Sequence, residues 1–273
     1  MGSGIAESIA THGLSVVVRE VDDAMAAKAR ERVEASLERG VSCQRMTAEA
    51  RDETLSRMKF TSDFADLSET ELVIEAVPEI LDLKLQVLQA TAEAVAPTTL
   101  LASNTSSLTI ASLAGRLPNP ERVLGMHFFS PVPVMKLVEV VVALDTSREA
   151  FELASEFARN IGKTPLESKD RSGFIVNVLL VPYLMAAMRL YEENFTTAEA
   201  IDEGMVLGCG HPIGPLKLCD QLGLDVMVNV CDSLYDEFKK PEYATPPILR
   251  RMVEAGRLGR KSGRGFYDYA TAQ

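Results

Sequence analysis

The chain has 273 residues, 47% hydrophobic and 25% charged, with a formal net charge of -11. That acidic balance excludes non-specific nucleic-acid binding, which needs basic surface to displace counterions from phosphates. No apolar run reaches the ~18 residues needed to cross a bilayer, and Cys43, Cys209, Cys219 and Cys231 show no CxxC spacing, so no membrane contact, metal site or disulfide frame is predicted and the thiols are expected to be reduced in a cytoplasmic protein.

The N-terminal stretch "MGSGIAESIATHGLSVVVREVDD" places Gly2 and Gly4 ahead of an amphipathic helix over 4–11, then a β-branched strand over 15–19 and the acidic Glu20. From there apolar β-rich runs alternate with helical ones. "DDAMAAKARERVEASLERG" predicts a helix, "LVIEAV" a strand and "EILDLKLQVLQATAEAV" a helix. "TTLLASN" predicts a strand, "SLTIASLAGRL" a helix, and "RVLGMHF" and "KLVEVVV" two strands. "REAFELASEFARNIG" and "TPLESK" add a helix and a short strand. This rhythm is that of βαβ units around a parallel sheet. After "KDRSGF" the pattern turns helical: "FIVNVLLVPYLMAAMRLYEEN", kinked or divided at Pro182, then "TAEAIDEGMVLG" and, beyond the turn-rich "CGHPIGPL", "DVMVNVCDSLYDEF". The prediction is a Rossmann-like dinucleotide-binding domain over 1–170, with its first strand missing, followed by an all-helical domain over 171–273.

A dinucleotide fingerprint needs glycines for a tight turn, a helix N-terminus for the pyrophosphate, and an acid about 20 residues on for the ribose hydroxyls. Gly2 can be the last such glycine and Glu20 the acid, which would repel the extra phosphate of NADP and point to NAD. The plain alternative is a terminal segment with a solvated charge. Two loops at carboxyl ends of strands can complete the site: "EAVPEILDLK", with Glu79 and Lys84, and "SNTSS".

Three histidines occur. His12 lies in a turn and reads as a surface residue; His211, in "GHPIGP", reads as one that orients a loop. His127 closes a strand where an α/β sheet presents reactive groups, and Glu139 lies on the next strand. A carboxylate beside an imidazole fixes its tautomer and stabilises its charged form, so His127 can take a hydroxyl proton while a hydride leaves for NAD. Ser106 and Ser107 could serve chemistry or cap the following helix. Asn177, in an apolar helix, needs partners if buried, and a substrate oxygen would be one.

With these residues assembled, the stretches "MGSGIA", "LVIEAVPE", "LLASNTSSL", "RVLGMHFFSPVPVMKLVEVV", "DRSGFIVNVLLVPYL", "GHPIGPLKLCDQLGLDV" and "GRKSGRGFYDY" resemble the short-chain L-3-hydroxyacyl-CoA dehydrogenase family, in particular its bacterial 3-hydroxybutyryl-CoA branch. The resemblance implies an NAD enzyme that reversibly oxidises a short-chain 3-hydroxyacyl-CoA and dimerises through its helical domain. It implies His127 as general base, Glu139 as its orienting partner, Ser106 on the reacting oxygen and Asn177 near the thioester. Glu20 takes the ribose position, where the family more often has Asp; Gly2, Ala76, Glu79, Lys84 and Asn104 line the cofactor site. Ser130 stands where the family usually has Asn near the nicotinamide. Ser36, with Arg39 and Arg45, is expected along the acyl-CoA tail. The family's first strand and first two glycines are absent, which would leave strand edges on both neighbours; about a dozen further residues ahead of Met1 are expected to supply them. A dehydrogenase of a free 3-hydroxy acid or sugar acid, and a non-catalytic dimeric relative without cofactor binding, are the competing readings.

Overall fold

The computed structural model describes residues 1–269. The chain divides into two compact units, Met1–Asp170 and the remainder from Arg171. In the first, α1 (Gly2–Thr11), β1 (Val16–Arg19), α2 (Asp23–Ser42), α3 (Ala48–Ser56) and β2 (Met58–Thr61) come first. Then follow β3 (Leu72–Glu75), α4 (Leu81–Ala94), β4 (Leu100–Ser103), α5 (Ile110–Ala114), β5 (Val123–Phe128), β6 (Leu137–Val142), α6 (Arg148–Asn160) and β7 (Thr164–Lys169). The helix α3 and the strand β2 had no sequence signal: α3 is short and polar, and "MKFT" is too brief to show alternation.

The sheet is in two pieces. β1 pairs in parallel with β2, from Val16 opposite Met58 to Arg19 opposite Thr61. β3 to β7 form a separate five-stranded sheet in chain order. Each of β1 and β3 therefore keeps one edge without a ladder partner among the described residues. Helix α1 serves both pieces: Ile5 packs with Leu100, Ala102, Leu124 and Met126 of the larger sheet's core, while Ala6 and Ala10 pack with Val33, Leu37 and Met58 beside the smaller one.

Strands β4 and β5 are buried along their whole length, the continuous apolar pattern of strands covered on both faces. β3, β4 and β5 run parallel, so Glu75, Ser103 and Phe128 end at one rim. β6 runs antiparallel to β5, with His127 directly opposite Glu139. Helix α5 is capped from a distance: the Asp170 carboxylate accepts from the N–H groups of Ile110 (2.6 Å) and Ala111 (2.7 Å). Its N-cap residue, Thr109, contributes no side-chain cap bond.

The second unit comprises α7 (Val176–Glu192), α8 (Ala198–Cys209), α9 (Pro215–Leu222), α10 (Leu224–Phe238) and α11 (Pro247–Glu254) around Leu184, Met185, Met188, Leu216 and Leu234. Pro182 sits inside one helix and does not divide it. Helix α9 starts within what the sequence showed as turn, because its cap is remote: buried Asp202 accepts from Leu216 N (2.7 Å), Lys217 N (3.0 Å) and the Tyr267 hydroxyl (2.8 Å). Asp220 accepts from Phe266 N, Tyr267 N and the Tyr269 hydroxyl. A Cβ on Gly265 would collide with that carboxylate, which is why the "GRGFYDY" segment carries glycine there. Asp202→Ala removes a cap and strands a half-buried tyrosine hydroxyl, so a loss of about 2–4 kcal/mol is expected in urea unfolding.

Candidate active site

The antiparallel turn-back of β6 makes the pairing of His127 and Glu139 a matter of register. His127 Nδ1 lies 2.7 Å from Glu139 Oε2. The histidine is 7% exposed and the glutamate 0%. Nδ1 is the ring nitrogen that faces the carboxylate, and a carboxylate there favours the tautomer that carries its proton on Nδ1. The Phe129 ring lies 4.5 Å from the imidazole, centroid to centroid.

Beside this strand, the loops after β3 and β4 are held by buried charge. Lys84 on α4 is 1% exposed. Its ammonium reaches Glu75 Oε1 at 2.9 Å, Val77 O at 3.2 Å and Glu79 Oε2 at 3.2 Å. Glu75 also accepts from the Ser103 hydroxyl (2.6 Å) and Val77 N (2.6 Å). Glu79 Oε1 gathers the turn after β4, accepting from the Thr105 hydroxyl (2.5 Å), Ser106 N (3.0 Å), Ser107 N (3.1 Å) and the Ser107 hydroxyl (2.9 Å). Thus Glu79 engages the hydroxyls on either side of Ser106 and only the backbone of Ser106 itself. Asn104 Oδ1 accepts from Phe128 N at 2.9 Å, tying the same turn to the residue after His127.

Several expected cofactor contacts thereby acquire a different setting. Lys84 has no exposed ammonium to offer a ligand; a buried cation needs its carboxylates, and it reaches the rim through Glu79. Asn104 has its carbonyl oxygen committed to β5. Gly2 is the first residue of α1, where a Cβ would sit 3.7 Å from Ala76 Cβ, an ordinary contact. The closer approach is at Gly4, whose Cβ would stand 3.3 Å from Val132 Cβ. Ser130 is exposed after β5, and half-buried Glu20 follows β1 on the smaller sheet. The first turn of α1 has neither an acidic residue nor a side-chain cap, a setting that suits an anionic group. Together with Glu20 these residues fit a dinucleotide.

Of the expected substrate contacts, Ser36 stands on α2 and Asn177 on α7. Ser36 lies near Glu7, a carboxyl that α1 buries. Burial raises the Glu7 pKa above its usual value, against the nearby Ser36 and the attraction of Arg39 and Arg45. Asn177, on α7 of the second unit, is half-buried and not buried, so its amide has no strict demand for an internal partner. His12 and His211 stand apart, bonded to Ser8 O (2.7 Å) and the Tyr183 hydroxyl (3.1 Å). Sequence reasoning missed Glu75, Ser103 and Thr105; a carboxylate closing the apolar run "LVIE" was the available signal. Among the described residues no cluster of three or more His, Cys, Asp or Glu is set to hold a metal, and no helix is long and apolar enough to cross a membrane.

A parallel-stranded dinucleotide-type unit, a buried His–Glu pair at its rim and a following helical unit define a class of dehydrogenase. The chain belongs to the 3-hydroxyacyl-CoA dehydrogenase family: the model of the family's NAD binding domain matches residues 1–171 and that of its C-terminal domain residues 173–269. A relative from Mycobacterium tuberculosis named 3-hydroxybutyryl-CoA dehydrogenase is 48% identical over 98% of this chain and 95% of its own length. One of the same name from Clostridioides difficile is 38% identical over 98% and 96%. The crystal structure of (S)-3-hydroxybutyryl-CoA dehydrogenase from Ralstonia eutropha is 42% identical, with a TM-score of 0.95 over 99% of this chain and 96% of that one.

Burial pushes the Glu79 pKa up, but the Thr105 hydrogen bond, the Lys84 charge and the donors of Ser107 and Ser106 together bring it below the ordinary 4.5. The folded protein therefore binds this proton less readily than the unfolded chain. The stability Glu79 contributes is complete above the ordinary value and is lost as pH falls through the lower, folded one. In melting curves taken across that acid range, Glu79→Gln should show a shallower decline of Tm with falling pH than the parent protein.

Proposed function

We propose that this protein is an NAD-dependent dehydrogenase of short-chain 3-hydroxyacyl-CoA thioesters, such as 3-hydroxybutyryl-CoA, interconverting them with the 3-ketoacyl-CoA. The observation that carries this reading is the buried His127–Glu139 pair, 2.7 Å apart, at the rim shared with the Ser106 turn. His127 accepts the proton of the 3-hydroxyl through Nε2, and Glu139 orients the ring and balances its positive charge. NAD supplies the hydride acceptor. The Ser106 hydroxyl hydrogen-bonds the reacting oxygen, on a turn that Glu79 stiffens. Glu20 takes the ribose hydroxyls and disfavours a 2′-phosphate by like-charge repulsion. Ala76, Asn104 and Ser130 line the cofactor, with Gly2 at the start of α1.

In this reading the unit over 1–170 holds the cofactor, and the helical unit contributes substrate contacts, with Asn177 toward the thioester. The helical unit also dimerises. Its exposed Leu179 (72%), Phe195 (76%) and Leu207 (75%) are apolar surface that a second copy would cover. The enzyme is cytoplasmic, with free thiols at Cys43 and Cys209 on the surface.

The direct test mixes purified protein with NADH and acetoacetyl-CoA and follows the loss of NADH absorbance. His127→Gln should lower kcat by about 10²–10⁴, the range for a lost general base; Glu139→Gln should lower it by a smaller factor. Turnover that survives His127→Gln, or that favours a free keto acid over the thioester, would defeat the reading.

A further inference from the structure

Lys163 is a buried cation that pairs with no carboxylate among the described residues. It follows α6, is 8% exposed, and donates to Val132 O at 2.6 Å and Met135 O at 2.9 Å. An ammonium in that setting is costly to desolvate, and burial pulls its pKa below the usual lysine value. Both carbonyls belong to segment 129–136, the connection that carries the chain from His127 on β5 to Glu139 on β6. The segment turns on Pro131 O, which accepts from Val134 N and Met135 N, both at 3.0 Å. Pro131 and Pro133 have no N–H to add to it. Lys163 fastens its middle to the body of the sheet, and Thr164 N, donating to Lys136 O at 2.7 Å, fastens its end.

The same segment bears on α1. Val132 is 3% exposed in the core that holds Ile5, and a Cβ on Gly4 would stand 3.3 Å from Val132 Cβ and 3.7 Å from Pro133 Cδ. The residue before Lys163 meets the other end of α1. Gly162 has a φ of +70°, and a Cβ there would lie 2.7 Å from the His12 ring. Gly162 and Lys163 thus address both ends of one helix, directly at its C-terminus and through Val132 at its N-terminus.

We propose that Lys163 is a positioning residue: by fixing the carbonyls of Val132 and Met135 it keeps the first turn of α1 in register with the His127 segment. The catalytic consequence rests on the dehydrogenase reading above; the mechanical one does not. Two measurements on wild type and Lys163→Met, a neutral side chain of similar length, separate them. Hydrogen–deuterium exchange well below the melting temperature should rise about tenfold or more in peptides covering both 129–136 and 1–11, with α7 to α11 unchanged. Turnover of acetoacetyl-CoA per folded molecule should fall about 10- to 100-fold, the scale of an ångström-sized misplacement, with a larger rise in KM for NADH than for the thioester.

Faster exchange in 129–136 alone would overturn the coupling, as would wild-type kcat and KM in a variant that merely melts earlier. If the wild type does not turn over the thioester, the dehydrogenase reading fails and the exchange data still decide the role of Lys163. If Lys163→Met does not fold, Gly4→Ala reaches the same contact from α1: faster exchange in 129–136 supports the proposal, and none overturns it.

Discussion

The reversal of β6 against β5 is the constraint on which the His127–Glu139 pair depends. In an antiparallel pair, residues directly opposite one another bring their side chains together on one face. The register that sets Gly125 against Val141 also sets His127 against Glu139. A slip of one residue would turn one of the two to the other face and leave an uncompensated carboxylate in the interior. Burial of the pair therefore adds to the apolar neighbours in selecting the register, and the connection between the strands must close at a fixed length.

Around that pair the rim is organised by charge and not by further apolar packing. Lys84 stands between Glu75 and Glu79, and each carboxylate disposes of the rest of its hydrogen-bonding capacity on a different loop. Glu75 holds the exits of β3 and β4, and Glu79 holds the turn with Ser106. Buried ion pairs of this kind are weak evidence for net stability, because desolvation offsets much of their attraction. Their geometric demand is strict: every partner must be in place, so the loops after β3 and β4 are fixed relative to one another. Preorganisation of this type is what a proton- and hydride-transfer site needs.

Much of this could be read from the residues. Long apolar runs announced β4, β5 and β6, and the shift to helical periodicity after Lys169 marked the second unit. His127 and Glu139 stood out as a scarce imidazole and a carboxylate on neighbouring strands. Features set by distant partners were illegible. The cap of α5 comes from Asp170 and that of α9 from Asp202, neither of them adjacent to the helix it starts. Ser36 lies near Glu7, which is on a different helix. Lys84 read as a ligand contact because a sequence shows a charge and not whether it is enclosed. Short elements such as β2 owe their form to pairing with β1 and carry little pattern of their own.

The division of the sheet gives α1 a second duty. Glu20 follows β1 on the smaller piece and His127 stands on the five-stranded piece, and among the described residues no ladder hydrogen bond joins the two. Side chains of α1 pack in the core of both. A substitution that shifts α1 would therefore be felt in both pieces at once, which gives Glu20 and His127 a common support.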